Sequence, residues 1–178
     1  MPNKASFGKA ILSCIEIVLF AFILSWGLRS LVVEASVIPT GSMLPTIQLQ
    51  DRVIVDKLLF KLSEITRGDI IVFQPLREVD PSGDPWIKRI IGLPGEKVEI
   101  KGGNVLINGV ELSEPYELEK PEYDFKEIIV PENSYFVLGD NRNNSNDSHE
   151  WGVLPAENII GKASLRYYPF NRFGYLAR

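Results

Sequence analysis

The segment "PTGSMLPT" (39–46) places a serine hydroxyl in a conformationally restricted loop. Its prolines fix their own φ angles and push the preceding residues toward extended backbone, and Gly41 lets another group approach the chain closely. Ser, Gly and Pro are also ordinary turn residues, so a plain turn is the alternative. Ser42 is a candidate nucleophile if a neighbouring base can take its proton.

His149, the only histidine of the chain, is one candidate for that base. With Ser42 and either Asp147 or Asp140 it could form a Ser-His-Asp triad, for which a single histidine is enough. His149 lies in a polar segment, so an exposed histidine without a catalytic role is the alternative.

Lys88, in "WIKRIIG" (86–92), is the other candidate base. Alternation along a strand places its side chain on the face of Trp86 and Ile90, with Arg89 on the other face. Burial lowers the pKa of a lysine because the charged form loses hydration, and a base working near pH 8 needs a drop of roughly 2 to 3 units. A lysine that reaches water from a strand edge is the alternative.

A third segment, "GDNRNNSNDSHEWG" (139–152), follows the predicted strand "SYFVL" (134–138). Asn, Asp and Ser dominate it, and few of its side chains are apolar. Such a loop is unusually well supplied with hydrogen-bonding groups for an ordinary connection. We expect it to build a polar network around the residues that do the chemistry.

These three segments, in this order after an apolar N-terminal run, resemble the type I signal peptidase (leader peptidase) family. Its members are membrane-bound Ser-Lys endopeptidases that remove signal peptides from exported proteins. The resemblance extends from Pro39 to Tyr168 and includes the apolar run. It implies that Ser42 is the nucleophile and Lys88 the general base. The supporting positions that it implies are Thr40 and the N–H of Ser42 for the oxyanion hole, Ser145 as hydrogen-bond partner of the lysine, and Asp147 as support for this region.

The same resemblance implies cleavage after small residues in an Ala-x-Ala pattern, without a metal or an organic cofactor. By motif alignment and alternation, the substrate pockets are expected to be lined by Ile38, Pro39, Met43, Trp86 and Ile87. Two positions depart from the family pattern, which often has aspartate at Asn143 and arginine at His149. An ion pair between Asp147 and His149 therefore requires a protonated imidazole.

The elements that must position these residues are short β-branched runs bounded by Gly, Pro, Asn and Asp, which predict strands. The runs are 52–56, 69–73, 86–92, 97–101, 104–108, 127–131, 134–139 and 162–168, and the Gly102-Gly103 and Asn108-Gly109 pairs indicate tight hairpins. We therefore predict a mainly β protein, with an antiparallel β-sheet catalytic domain over residues 34–178. A short helix is expected at 57–65, and the acidic stretch 111–127 is expected to be a solvated loop or, alternatively, a mobile flap.

Residues 10–28 form an apolar run that as a helix would be about 28 Å long, close to the thickness of a bilayer core. We predict a single N-terminal transmembrane helix, with Trp26 at the interface, a short cytoplasmic segment at 1–9 and an extracytoplasmic catalytic domain. The membrane could be a plasma membrane or a thylakoid. A cleavable signal peptide is the alternative for this run. The aromatic tail 166–176 suits either a core or a membrane surface.

The composition of the chain limits the classes of partner and cofactor that the protein can bind. A net charge of -4 disfavours nucleic acid, and one cysteine and one histidine exclude a disulfide framework and a multi-histidine metal site. The expected partners are preprotein signal peptides and the lipid bilayer, and we expect a monomer. Three other functions stay open. One is a self-cleaving Ser-Lys protein of the repressor type, which needs a DNA-binding domain that residues 1–33 cannot supply, and another is an anchored binding module, which would tolerate substitution of Lys88. The third is a narrow processing role on one substrate.

Overall fold

The computed structural model describes residues 13–22, 25 and 33–176 of the 178-residue chain. Residues 13–22 are helical, and their side chains are exposed. Within these described ranges, no helix is both long enough and apolar enough to cross a bilayer. The predicted span 10–28, including Trp26, and the predicted cytoplasmic segment 1–9 lie wholly or partly outside the described residues, so both stay predictions.

The larger of two antiparallel sheets carries the segments that hold Ser42 and Lys88. Its strands lie in the order β1, β2, β11, β3, β4, β9, β10, with β12 pairing against β11. Their bounds are β1 Val33–Val37, β2 Arg52–Asp56, β3 Ile70–Phe73, β4 Trp86–Gly92, β9 Ser134–Leu138, β10 Leu154–Pro155, β11 Ile159–Tyr168 and β12 Gly174–Tyr175. β4 is central in this sheet, between β3 and β9, and Lys88 pairs with Ile71 of β3.

The smaller sheet has four strands in the order β7, β6, β5, β8. Their bounds are β5 Lys97–Lys101, β6 Asn104–Ile107, β7 Val110–Glu111 and β8 Phe125–Ile129. The predicted hairpins are both present, because Gly102 and Gly103 join β5 to β6, and Asn108 and Gly109 join β6 to β7. All four of these turn residues have positive φ, the backbone conformation for which glycine and asparagine are suited.

The sheets enclose apolar clusters on both sides of the central strands. One cluster includes Met43, Ile47 and Ile87, a second includes Ile90 and Phe73, and a third, around Val98 and Phe136, combines residues of both sheets. β4 is buried over six of its seven residues because its two faces meet different clusters. The predicted antiparallel β architecture is confirmed, and the predicted helix at 57–65 is a short 3-10 turn, Leu59–Leu62.

Candidate active site

Ser42 lies in the turn between β1 and β2, which is fixed to the core by its apolar residues. Met43 and Ile47 are fully buried, and the Ile47 N–H donates to the Met43 carbonyl at 2.8 Å. Ile38 is buried in the same cluster, and its N–H donates to the Asp51 carbonyl at 3.0 Å. This packing holds the serine between two anchored ends of the turn.

Lys88 of β4 reaches Ser42 from the centre of the larger sheet. Its Nζ donates to Ser42 Oγ at 2.9 Å and to the Ile87 carbonyl at 3.1 Å. The lysine is 4% exposed and the serine 7%, so the contact is shielded from water. The Trp86 ring lies beside the amine, with its centroid 5.5 Å from Nζ.

The surroundings of Lys88 favour the neutral amine. Burial lowers the pKa of Lys88 from 10.5 to about 8, while the negative charges of Asp147 and Asp140 oppose this change. Burial dominates because desolvation penalises the ammonium form, and the two carboxylates compensate only part of that penalty. A substantial fraction of Lys88 is therefore neutral at slightly alkaline pH and able to accept a proton.

A cleft of about 400 Å³ opens beside these two residues. It is lined by Pro39, Thr40, Gly41, Ser42, Asp80, Asp84, Pro85, Trp86, Ile87, Lys88, Asn144 and Asn146. The Thr40 hydroxyl lies on its wall, 3.5 Å from Ser42 Oγ. Trp86 is oriented by a hydrogen bond from its indole N–H to Asp80 at 3.0 Å.

The expected pocket residues divide into two groups in the structure. Pro39, Trp86 and Ile87 line the cleft. Ile38 and Met43 are instead 2% and 0% exposed within the apolar cluster and are absent from the lining. Both lie in the apolar core next to the Ser42 turn, and direct contact of either with a substrate stays a prediction.

The loop that follows β9 holds the Ser42 turn through its backbone. The Asn141 N–H donates to the Ser42 carbonyl at 3.0 Å, and the Asn141 side-chain amide donates to the Gly41 carbonyl at 3.1 Å. Gly139 lies so close to the turn that a Cβ there would overlap the Ser42 carbonyl oxygen and the Ser145 hydroxyl. The polar network expected of 139–152 is therefore built against the serine.

Asp147 and Ser145 occupy different places in this network. Asp147 is fully buried and accepts the Gly139 N–H at 2.9 Å, which ties the start of the loop to the residue that precedes the short helix Ser148–Trp151. The Ser145 hydroxyl is buried and has no hydrogen-bond partner among the described residues, so the expected bond to Lys88 is not formed. The reason is geometric: the hydroxyl packs against Gly139, while Lys88 donates to Ser42 and Ile87.

His149 does not reach Ser42 in the described structure. Its Nδ1 lies 2.7 Å from Asp147 Oδ1, and its Nε2 lies 3.2 Å from Glu150 Oε1. Asp147 and His149 are therefore in contact, and the contact is an ion pair when the imidazole is protonated. This geometry favours Lys88 over His149 as the base for Ser42.

The segment 111–127 packs on the 139–152 loop, which the sequence analysis missed. Arg142 and Glu114 form a bidentate ion pair with both N···O distances 2.7 Å, and their side chains are 0% and 2% exposed. The Leu118 N–H donates to the Asp140 carbonyl at 2.9 Å. The expected solvated loop is therefore wrong for Glu114, although Lys120 is exposed as expected. The acidic composition of 111–127 and the arginine of the polar loop are compatible with this packing, but they do not specify which residues pair.

A second buried ion pair lies on the strand residue next to Lys88. Arg89 donates to Asp140 from Nε at 2.8 Å and from Nη2 at 2.7 Å, and both side chains are fully buried. The Arg89 guanidinium also lies over the Tyr116 ring, 3.8 Å from its centroid. Alternation predicted that Arg89 faces away from Lys88, but only the fold brings Asp140 and Tyr116 to meet it.

Comparison with known proteins places this arrangement in a family. The family model for signal peptidase, peptidase S26, matches residues 11–168. A signal peptidase I from Leptolyngbya laminosa is 51% identical over 158 residues, covering 86% of this chain and 78% of that protein. A probable signal peptidase I-2 from Synechocystis sp. is 46% identical over 158 residues, with 88% and 72% covered. A probable thylakoidal processing peptidase 2, chloroplastic, from Arabidopsis thaliana is 41% identical over 145 residues, with 79% and 40% covered.

The family model and these relatives define a hydrolase of the serine endopeptidase class. The chain belongs to the signal peptidase family, peptidase S26, and its function is that of a signal peptidase I, the endoproteolytic removal of signal peptides.

Proposed function

We propose that signal-peptide cleavage by this protein uses Ser42 as nucleophile and Lys88 as general base. The observation that carries the proposal is the 2.9 Å contact between Lys88 Nζ and Ser42 Oγ at the wall of the cleft. A neutral amine at that distance can accept the hydroxyl proton as the oxygen attacks the scissile carbonyl. The lowered pKa of Lys88, about 8, supplies the neutral amine under mild conditions.

The reaction then follows from the positions of the same groups. The attack produces a tetrahedral oxyanion, which the Ser42 N–H and the Thr40 hydroxyl stabilise. Collapse breaks the peptide bond, and Lys88 returns its proton to the leaving amine. Lys88 next takes a proton from water, which attacks the acyl-enzyme. The bond between Ser42 Oγ and the acyl carbon then breaks, Lys88 returns the proton to Ser42 Oγ, and the signal peptide leaves with a free carboxylate. Asp147 and Ser145 support the loop behind Ser42, and no metal or organic cofactor takes part.

We expect the cleft to take small side chains at the first and third positions before the cut. Pro39, Trp86 and Ile87 form its apolar wall, and Ile38 and Met43 fill the core beneath the serine turn. In an extended substrate, the first and third side chains before the cut point to the same side. An Ala-x-Ala sequence therefore presents two small groups to the wall and directs the middle side chain away from it.

The test is cleavage of a preprotein carrying Ala-x-Ala by the detergent-solubilised full chain, beside Ser42→Ala, Lys88→Met and His149→Ala. We expect cleavage by the wild type, no turnover by the first two variants, and retained turnover by His149→Ala. Cleavage that survives Lys88→Met and is lost in His149→Ala would replace the lysine by a histidine base. Absence of cleavage by every form would favour an anchored binding module.

The proposal includes a membrane anchor at residues 10–28, a cytoplasmic segment at 1–9 and an extracytoplasmic catalytic domain at 34–178. It is supported by the exposed apolar side chains of the described helical residues 13–22, which include Ile17, Leu19 and Phe22. The bilayer is a plasma membrane or a thylakoid, and the protein is monomeric. Protease added to sealed vesicles from either side tests this topology: degradation of the catalytic domain only from the cytoplasmic side would reverse the orientation.

The aromatic tail provides a second proposed contact with the bilayer. Phe170, Phe173 and Tyr175 are strongly exposed, and Tyr168 lies across from Arg52 at the edge of the same region. Aromatic side chains favour the boundary between lipid and water. A membrane-held enzyme meets membrane-held signal peptides at high effective concentration. Tyrosine and tryptophan fluorescence that does not change when vesicles are added would argue against this contact.

A further inference from the structure

The imidazole of His149 is held on three sides. Asp147 Oδ1 lies 2.7 Å from Nδ1 and Glu150 Oε1 lies 3.2 Å from Nε2. The Tyr123 ring stacks on the imidazole, with centroids 4.0 Å apart and planes inclined by 17°. The His149 side chain is 13% exposed. Tyr123 belongs to the segment 111–127, so this segment packs directly on the imidazole of His149.

The position of Asp147 depends on its partners and bears on the Ser42 turn. One carboxylate oxygen accepts the Gly139 N–H at 2.9 Å, and the other is held by the His149 ring. Gly139 packs against the Ser42 carbonyl, and Asn141 donates hydrogen bonds to the carbonyls of Ser42 and Gly41 in the same turn. His149 is therefore connected to the nucleophile through one carboxylate and one glycine.

The charges around His149 favour its protonated form. Burial lowers its pKa, but the hydrogen bond and charge of Asp147, together with Glu150, outweigh burial and raise it above 6.5. The third facing group, Tyr123, has a raised pKa because of burial and stays neutral. The negative charge of Asp147 also raises the pKa of Lys88, which holds the proton on the proposed base. An imidazolium beside Asp147 offsets that effect.

We propose that His149 is a positioning residue for signal-peptide cleavage, which clamps Asp147 and, as an imidazolium, offsets the negative charge that Asp147 directs at Lys88. This inference rests on the proposed Ser42 and Lys88 mechanism. It assigns a role to a position where the family often has arginine, whose charge is permanent. The proposal also assigns a function to the segment 111–127, because the Tyr123 ring stacks on the imidazole and holds it beside Asp147.

The pH dependence of kcat/KM separates this role from a merely structural one. The full chain is assayed between pH 6 and 10 with an Ala-x-Ala peptide, as wild type, His149→Arg and His149→Gln. For His149→Gln we expect the midpoint of the rise in kcat/KM with pH to move up by about half a pH unit. The variant should lose roughly threefold in kcat/KM at pH 7, and this loss should disappear near pH 9.5. His149→Arg, with its fixed charge, should have its midpoint at or below that of the wild type.

A His149→Gln enzyme that loses activity equally at every pH, with an unmoved midpoint, overturns the proposal. Because His149 is the only histidine, its imidazole gives one NMR signal, and titration of that signal below the ordinary value of 6.5 also overturns it. Melting temperatures of the variants detect misfolding. Failure of the dyad itself is distinguishable, because Lys88→Met would then retain turnover in the same assay.

Tyr123 provides an independent pair of variants. Its hydroxyl has no hydrogen-bond partner among the described residues, so Tyr123→Phe keeps the stacked ring and should keep the wild-type midpoint. Tyr123→Ala removes the stack and should move the midpoint toward that of His149→Gln. Identical midpoints for the two Tyr123 variants would show that the stack has no part in the effect.

Discussion

Gly139 and Ser42 are in such close contact that residue 139 has no room for a side chain. A Cβ at this position would overlap the Ser42 carbonyl oxygen, and it would overlap the Ser145 hydroxyl as well. The contact joins the loop after β9 to the turn between β1 and β2. The nucleophile is thus held by backbone packing in addition to the hydrogen bonds from Asn141.

Gly139→Ala should displace the serine turn and sharply reduce cleavage. The backbone of Ser42 must shift to admit the methyl group, and a misplacement of about 1 Å can cost roughly 10²-fold in rate. We expect a loss of at least about this size in kcat/KM for an Ala-x-Ala peptide. Gly174→Ala is the matched control, because a Cβ there meets nothing within 4 Å. Normal activity of Gly139→Ala would show that the contact does not position the serine.

The pH dependence of cleavage should follow the titration of Lys88. Burial lowers the pKa of Lys88 to about 8, and only the neutral amine can act as the base. kcat/KM should therefore rise about tenfold per pH unit below the midpoint and level off above about pH 8. Initial rates with a soluble Ala-x-Ala peptide at low concentration measure this. A profile that is flat from pH 6 to 9 would contradict a lysine base.

Most of the longer strands were predictable from the sequence because strands and hairpins are encoded locally, whereas β1 and the two-residue strands β7, β10 and β12 were not predicted. The β-branched runs between turn residues predict β4 and β5 with the bounds that the structure has. The Gly102-Gly103 pair predicts the hairpin between β5 and β6. Apolar neighbours likewise indicated burial of Lys88. These signals lie within a few residues of the features they predict.

Contacts between distant segments were not predictable in the same way. Arg89 meets Asp140 across 51 positions and Arg142 meets Glu114 across 28, and no local pattern specifies either pair. Ser145 illustrates the same limit, because a motif can assign it to Lys88 but only packing directs its hydroxyl toward Gly139. The roles of the site residues in catalysis stay predictions.

Lys88→Met should stabilise the fold at neutral pH while abolishing activity. The pKa of Lys88 falls from 10.5 in the unfolded chain to about 8 in the folded protein, a destabilisation of about 3 kcal/mol when the amine is charged. Between pH 8 and 10.5 the unfolded state binds more protons, so wild-type stability rises with pH. The gain from methionine should reach up to about 3 kcal/mol at pH 7 and shrink as the pH rises through this window.

Urea unfolding of both proteins in the same detergent at pH 7 and pH 10 measures this difference. Lys101→Met serves as control, because its side chain is 72% exposed and its substitution should change stability by no more than about 0.5 kcal/mol. A Lys88→Met advantage that is equal at both pH values would mean that burial does not lower the pKa of this lysine.

Thr40→Val should reduce turnover without preventing substrate binding. The Thr40 hydroxyl lies 3.5 Å from Ser42 Oγ on the cleft wall, where it can donate to the oxyanion that forms when the serine attacks. Loss of one such donor typically lowers kcat by about 10² to 10³, because the interaction is stronger in the transition state than in the bound substrate. KM should change little, and Thr40→Ser, which keeps the hydroxyl, should retain most of the rate. If Thr40→Val keeps a normal kcat while KM rises, Thr40 contributes to substrate binding, and the Ser42 N–H is left as the proposed oxyanion donor.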